Sequence, residues 1–265
     1  MEFLNVTTAD YVATISLNNP PANVLARKVL LELQNVFQSL KDDSEVRVVL
    51  LKGEGRFFSA GADIKEFTIM GEDTSFDEIT VLGQNVLEDV ENFPKPVIVA
   101  IHGAALGGGL ELSMACHIRL VAENAKLGLP ELQLGLIPGY GGTIRLANIV
   151  GSAKAAELMF TSDHISGEEA YRLGLANQVY PQEKLHDNAL ELAKRIALKS
   201  PNSLKAVIEM LNRHKDASYA EALRKESQGF GKCYISQDGR EGVNAFLEKE
   251  CQCLKESNSL VEQSN

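Results

Sequence analysis

The order of short apolar runs and longer periodic stretches constrains this chain more than any other feature. Tyr11-Val12-Ala13-Thr14-Ile15-Ser16-Leu17 alternates with the period of two expected of a strand. Over residues 27–40 the apolar positions Val29, Leu30, Leu33, Val36, Phe37 and Leu40 recur at helical spacing. Residues 46–51 read as a buried strand, 76–93 as a helix stopped by Pro94 and Pro96, 96–101 as another buried strand and 118–121 as a fourth. Strands alternating with helices are the pattern of parallel pairing, because a parallel pair needs a long crossover that a helix supplies. After about Ile165 the strand signals fade. Ser166-Gly167-Glu168-Glu169 has the spacing of a capping box, and helical periodicity continues over 183–199, 201–214, 219–230 and 239–250. The expectation is an α/β core over residues 1–195 and a helical region over 196–265, with a frayed polar end from Lys255 and no visible internal repeat.

Composition narrows the partners. At 265 residues and 45% hydrophobic content the chain can bury a full core. A net charge of −10 argues against nucleic acid, whose binders present a basic face. No apolar run reaches membrane-spanning length, and the first residues carry no signal-peptide pattern, so the expectation is a cytoplasmic protein without membrane partners. The cysteines Cys116, Cys233, Cys251 and Cys253 match no zinc or redox spacing, and the histidines form no H-E-x-x-H, so no metal site is expected. His102 and His117 flank a glycine-rich turn and read as packing or surface residues.

The chemistry concentrates around two glutamates beside glycines. Glu111 follows Gly107-Gly108-Gly109 at an expected helix start, and Glu131 precedes Pro138-Gly139-Tyr140-Gly141-Gly142. Taken alone, Glu111 is also explained as an acid favoured by a helix dipole. A third segment, Ser59-Ala60-Gly61-Ala62-Asp63-Ile64-Lys65, offers a tight turn whose Ala62 N–H can point at an anion. The glycine runs complete neither a G-x-G-x-x-G nor a phosphate-binding P-loop, and Ser59 is not in a nucleophile elbow. Two loops thus supply one N–H donor each, from Ala62 and Gly108, and two carboxylates lie near glycine turns. That combination suits proton transfer beside a thioester carbonyl, through an enolate-like intermediate.

At these residues the chain resembles the crotonase superfamily, the enoyl-CoA hydratase/isomerase family. The similarity runs over about residues 3–250 and rests on Asn19-Pro20-Pro21-Ala22-Asn23, the Phe58 to Lys65 loop, Ala105 through Leu112, Pro130-Glu131 through Thr143, and Glu241 through Phe246. The resemblance implies a ClpP-like spiral of strand–strand–helix units with a C-terminal helical region that assembles a homotrimer or a dimer of trimers. It implies an acyl-CoA thioester substrate and no cofactor beyond the coenzyme A carried by that substrate. It implies hydration of the 2,3 double bond of trans-2-enoyl-CoA, the lyase step of β-oxidation. By motif, Ala62 and Gly108 would form the oxyanion hole. Ala60, Gly61, Asp63, Ile64 and Lys65 would contact coenzyme A, and Gly139 would frame the water. Glu111 would activate that water, and Glu131 would exchange a proton with C2.

The chain departs from the family in two places. Pro21 stands where many members carry a basic residue, and the end of the last helix reads Glu248-Lys249-Glu250 instead of a basic stretch. Arg27 and Lys249 are then the remaining candidates for the coenzyme A phosphates. The segment 67–76, with Met70, Gly71, Glu72 and Asp73, should lie near the acyl tail. The closest likeness within the family is the AU-binding and methylglutaconyl-CoA hydratase branch. The first helix, however, has too few basic residues for RNA. A double-bond isomerase using Glu131 alone and a non-catalytic CoA-binding subunit are the competing readings.

Overall fold

The computed structural model describes residues 1–69, 76–213 and 218–248. Its strands are β1 (Leu4–Ala9), β2 (Val12–Leu17), β3 (Val48–Gly53), β4 (Val97–Ile101), β5 (Ala104–Leu106), β6 (Ile118–Ala122), β7 (Lys126–Gly128), β8 (Ile165–Ser166) and β9 (Gln178–Tyr180). Its helices are α1 (Arg27–Lys41), α2 (Ile64–Ile69), α3 (Phe76–Glu91), α4 (Gly108–Ala115), α5 (Gly142–Val150), α6 (Ser152–Thr161), α7 (Gly167–Arg172), α8 (Gln182–Ala197), α9 (Pro201–Arg213), α10 (Tyr219–Ile235) and α11 (Gln237–Glu248), with a 3-10 turn at Glu131–Leu134.

The large sheet runs β1-β2-β3-β4-β6-β9 and is parallel except for the β1–β2 hairpin. β4 is buried at every residue, as a parallel strand covered on both faces must be. Helix α8 lies over β2, β3, β4 and β6. Helices α1 and α3 pack on each other, and just past the end of α3 Phe93 meets Phe37 edge to face at 5.0 Å. In α1 the buried residues are Val29, Leu30, Leu33, Val36, Phe37 and Leu40, the set the periodicity predicts.

A second sheet, β5-β7-β8, builds the site. β4 leaves the large sheet, turns at His102-Gly103 and re-enters as β5 of the small one. β6 and β7 repeat the move, so strand–strand–helix units recur although no sequence repeat betrays them. Two expectations need correcting here. The strand read over 96–101 is not the last before the glycine run, because β5 intervenes. Nor do strands end near Ile165, because β8 pairs with β7 and β9 closes the edge of the large sheet. The Ser166 cap is present: its hydroxyl accepts the Glu169 N–H at 3.1 Å.

Candidate active site

The Ala60 to Lys65 loop is held from two sides. Ser59 N–H donates to Ala104 O and Ser59 O accepts from Leu106 N–H, both at 3.1 Å, so the loop borders β5 like an added strand. Asn23 ties it from the other side. Asn23 Nδ2 donates to Glu54 O (2.9 Å) and Phe57 O (2.8 Å), and Asn23 O accepts the Ser59 hydroxyl at 2.7 Å. Gly61 has φ +100°, a conformation that favours glycine. A Cβ there would sit 2.8 Å from Leu106 O and 3.2 Å from Gly108 N.

That approach brings the two predicted amides together. The Cβ position of Gly108 falls 3.3 Å from Ala62 N. Gly108 opens α4, where a helix leaves its first N–H groups without intrahelical partners. Gly107, at φ +51°, makes the turn, and its N–H donates to Gly128 O at 3.0 Å. Neither Ala62 N–H nor Gly108 N–H donates to a protein acceptor among the described residues. Of the remaining loop residues, Ala60, Ile64 and Lys65 are exposed, and Asp63 Oδ1 accepts the Lys65 N–H at 3.0 Å.

Glu111 lies in the first turn of α4 and is 2% exposed. Its Oε1 accepts two backbone N–H groups, from Tyr140 at 2.8 Å and Gly142 at 2.7 Å. Burial pushes its carboxyl up to about 7, against the pull of those two donors; the Glu131 charge adds to the rise and Arg145 opposes it. Glu131 starts the 3-10 turn, with Oε1 3.0 Å from where a Gly107 Cβ would stand. Its Oε2 is buried without a hydrogen-bond partner, and burial raises its carboxyl as well. The Glu131 carboxylate therefore borders the turn that presents the Gly108 amide, and the Glu111 carboxylate, held by the 140–142 loop, is near enough to feel the Glu131 charge. Gly139 O accepts from Gln84 Nε2 at 2.8 Å, in the loop that carries the Glu111 donors.

Sequence reasoning did not single out Asn23 as the pin of the loop, nor Tyr140, Gly142 and Arg145 around Glu111. The Tyr140 ring is wedged between α3 and α4: a Cβ on Gly83 would fall 2.3 Å from it and one on Gly108 3.1 Å. A glycine in mid-helix, at Gly83, was the available signal. A cleft of about 560 Å³, lined by Tyr140, Arg145, Arg119 and Asn212 among others, includes neither glutamate. The Ala62 and Gly108 amides and the two predicted glutamates thus lie outside that cleft's lining. Arg27 is exposed at the start of α1, while Lys249 and most of the acyl-tail segment lie outside the described residues. His117 is a packing residue, accepting the Val97 N–H through Nδ1 at 2.8 Å. Among the described residues no cluster suited to a metal ion occurs, and no helix is long and apolar enough to cross a membrane.

Fold and site together define a mixed α/β protein with two apposed amides at a turn beside Glu131 and a second, buried acid, Glu111, held by a neighbouring loop. The sequence model of the enoyl-CoA hydratase/isomerase family matches residues 7–256, and the chain belongs to that family, with the crotonase fold. It is 49% identical over 252 residues to a probable enoyl-CoA hydratase of Bacillus subtilis, covering 94% of this chain and 97% of the relative. It is 40% identical over 244 residues to a short-chain-enoyl-CoA hydratase of Clostridium acetobutylicum, covering 90% and 92%. The crystal structure of an enoyl-CoA hydratase from Bacillus anthracis superposes with a TM-score of 0.90 at 39% identity, covering 94% of this chain and 98% of that one.

Proposed function

We propose that this chain hydrates trans-2-enoyl-CoA thioesters. The observation that carries the reading is the apposition of the Ala62 and Gly108 amides at the turn that the Glu131 carboxylate borders, with the buried Glu111 carboxylate within electrostatic reach of Glu131. The amides hold the thioester oxygen as it gains charge, each such donor being worth about 10²–10³ in rate. Glu111 acts as the base. Two N–H donors on Oε1 stabilise its anion, and Oε2, which accepts no hydrogen bond among the described residues, takes the proton of water as it attacks C3. Glu131 acts as the acid. An unpartnered buried oxygen favours the protonated form, which delivers its proton to C2 of the enolate. The water's oxygen bonds to C3, its proton passes to Glu111, and C2 takes the proton from Glu131. The reaction needs no metal or redox cofactor.

The Ala60 to Lys65 loop takes the coenzyme A in this reading, and the exposed apolar residues of α9–α11 pack in a homotrimer or dimer of trimers. Hydration of crotonyl-CoA, followed by loss of the enoyl absorbance, tests the activity. Glu111→Gln and Glu131→Gln should each lose about 10²–10⁴ in kcat while binding coenzyme A thioesters like the wild type. Wild-type turnover in either variant would remove that residue from the mechanism. An isomerase would instead exchange deuterium into C2 without net hydration. A panel of straight, long and branched enoyl-CoA thioesters, 3-methylglutaconyl-CoA included, assigns the branch within the family.

A further inference from the structure

The hydrogen bonds that hold Glu111 can be traced outward. Both donors belong to the loop 138–142, in which Gly139, Gly141 and Gly142 leave the backbone little stiffness of its own. Three successive carbonyls of that loop are tied down. Gly139 O accepts from Gln84 Nε2 at 2.8 Å, Tyr140 O from Arg145 Nη1 at 2.6 Å, and Gly141 O from Arg145 N–H at 3.0 Å. In a trans peptide the C=O and N–H point in opposite directions. Anchoring Gly139 O and Gly141 O therefore aims the Tyr140 and Gly142 N–H groups at Glu111, and anchoring Tyr140 O fixes the peptide between them. The Arg145 side chain makes the tie to Tyr140 O, while the tie to Gly141 O is the first helical backbone bond of α5 and does not depend on the side chain.

Arg145 is in turn oriented by Glu91, whose Oε2 accepts from Nε at 3.0 Å and from Nη2 at 2.8 Å. The pair is placed against local preference. Glu91 ends α3 and Arg145 lies in the first turn of α5, so each charge sits at the helix end whose dipole opposes it. The side chains are only 20% and 14% exposed. Charges kept where local rules disfavour them are a mark of a working site.

We propose that Arg145, oriented by Glu91, is the positioning residue for Glu111: it sets the loop that grips Oε1, leaves Oε2 to the water, and places a positive charge opposite the carboxylate. The proposal rests on the hydratase reading of Glu111. The other ionisable groups facing Glu111 are Glu131 from the 3-10 turn and the Tyr140 phenol from the loop. Glu91 stands behind Arg145 on α3, and Cys116 and Arg119 lie beyond the far end of α4. Arg145 is the cation that opposes the rise of the Glu111 carboxyl, so its removal moves that carboxyl further up.

Arg145→Met, Arg145→Lys and Glu91→Gln test this with crotonyl-CoA. Arg145→Met should lower kcat by about 10–100-fold, as misplacement of a catalytic group does, with KM changed less than about threefold. The acid limb of its kcat–pH profile should move to higher pH. Arg145→Lys keeps the charge and loses the fork, so kcat falls while the acid limb stays near that of the wild type. Glu91→Gln should lower kcat in the same direction. Carbon-13 NMR titration of the Glu111 carboxyl, assigned by its loss in Glu111→Gln, should show the same upward shift in Arg145→Met. This last reading needs no turnover, so it tests the contact even if the chain hydrates nothing. A folded Arg145→Met with unchanged kcat, acid limb and titration would overturn the proposal. Should that variant fail to fold, wild-type kcat in Arg145→Lys would do the same.

Discussion

Glu111 answers two opposed demands. Burial disfavours its charge, and two backbone amides favour it, leaving a carboxyl that titrates at about 7 instead of 4.5. Between those values the folded protein keeps a proton that the unfolded chain has released. The contribution of this group to stability is therefore full below about pH 4.5 and is lost as pH rises through about 7. A difference of about 2.5 units corresponds to roughly 3 kcal/mol at most, at about 1.36 kcal/mol per unit. Glu111→Gln, which never ionises, should melt higher than the wild type at pH 8, and the gain should be several-fold smaller at pH 5. Calorimetry at the two pH values checks this, and an equal effect at both would contradict the burial account. The sequence makes both glutamates legible through their glycine neighbours. The amides that grip Glu111 are not legible, because Tyr140 and Gly142 lie 29 and 31 residues away and only the closed fold aims them.

Helix α4 and the loop bordering it show what short elements owe to glycine. A Cβ on Gly109 would stand 2.4 Å from Ser59 O. Ser59 cannot yield, since its N–H, C=O and hydroxyl are all bonded, to Ala104, Leu106 and Asn23. Gly109→Ala should destabilise by about 1–3 kcal/mol through overpacking. It should also lower kcat, because it parts the loop of Ala62 from the helix of Gly108. Denaturant melts with parallel kinetics test the pairing of effects; a stable, fully active variant would show that the two segments are not tightly apposed. Long elements such as α1 and β4 are plain in the sequence because many residues repeat one period. β5, β7, β8 and β9 have two or three residues each, too few to carry a period, and β5 is Ala-Ala-Leu. β5, β7 and β8 frame the candidate site, so its acids stand out in the sequence while its scaffold does not.

In the whole molecule the large sheet is closed over by α8, while the helical end remains less covered. Leu211, Tyr219, Phe230, Tyr234, Ile235, Phe246 and Leu247 are each more than half exposed on α9–α11. Phe230 and Tyr234 lie nearly parallel, with ring centroids 6.5 Å apart, on this surface. Apolar exposure of this kind is costly for a free monomer and suits subunit packing. On the proposed trimer reading, light scattering should give a trimer or larger for the wild type and a single chain for Phe230→Glu with Phe246→Glu. An unchanged mass would take these residues out of the interface.

The central claim is that two main-chain amides polarise one thioester carbonyl between the glutamates. It is tested most directly by the infrared carbonyl stretch of crotonyl-CoA, labelled with carbon-13 at the thioester carbon and bound to a Glu111→Gln, Glu131→Gln double variant that cannot turn it over. The Ala62 and Gly108 donors predict a stretch lowered relative to the free thioester. A bound carbonyl that absorbs where the free one does would contradict the account.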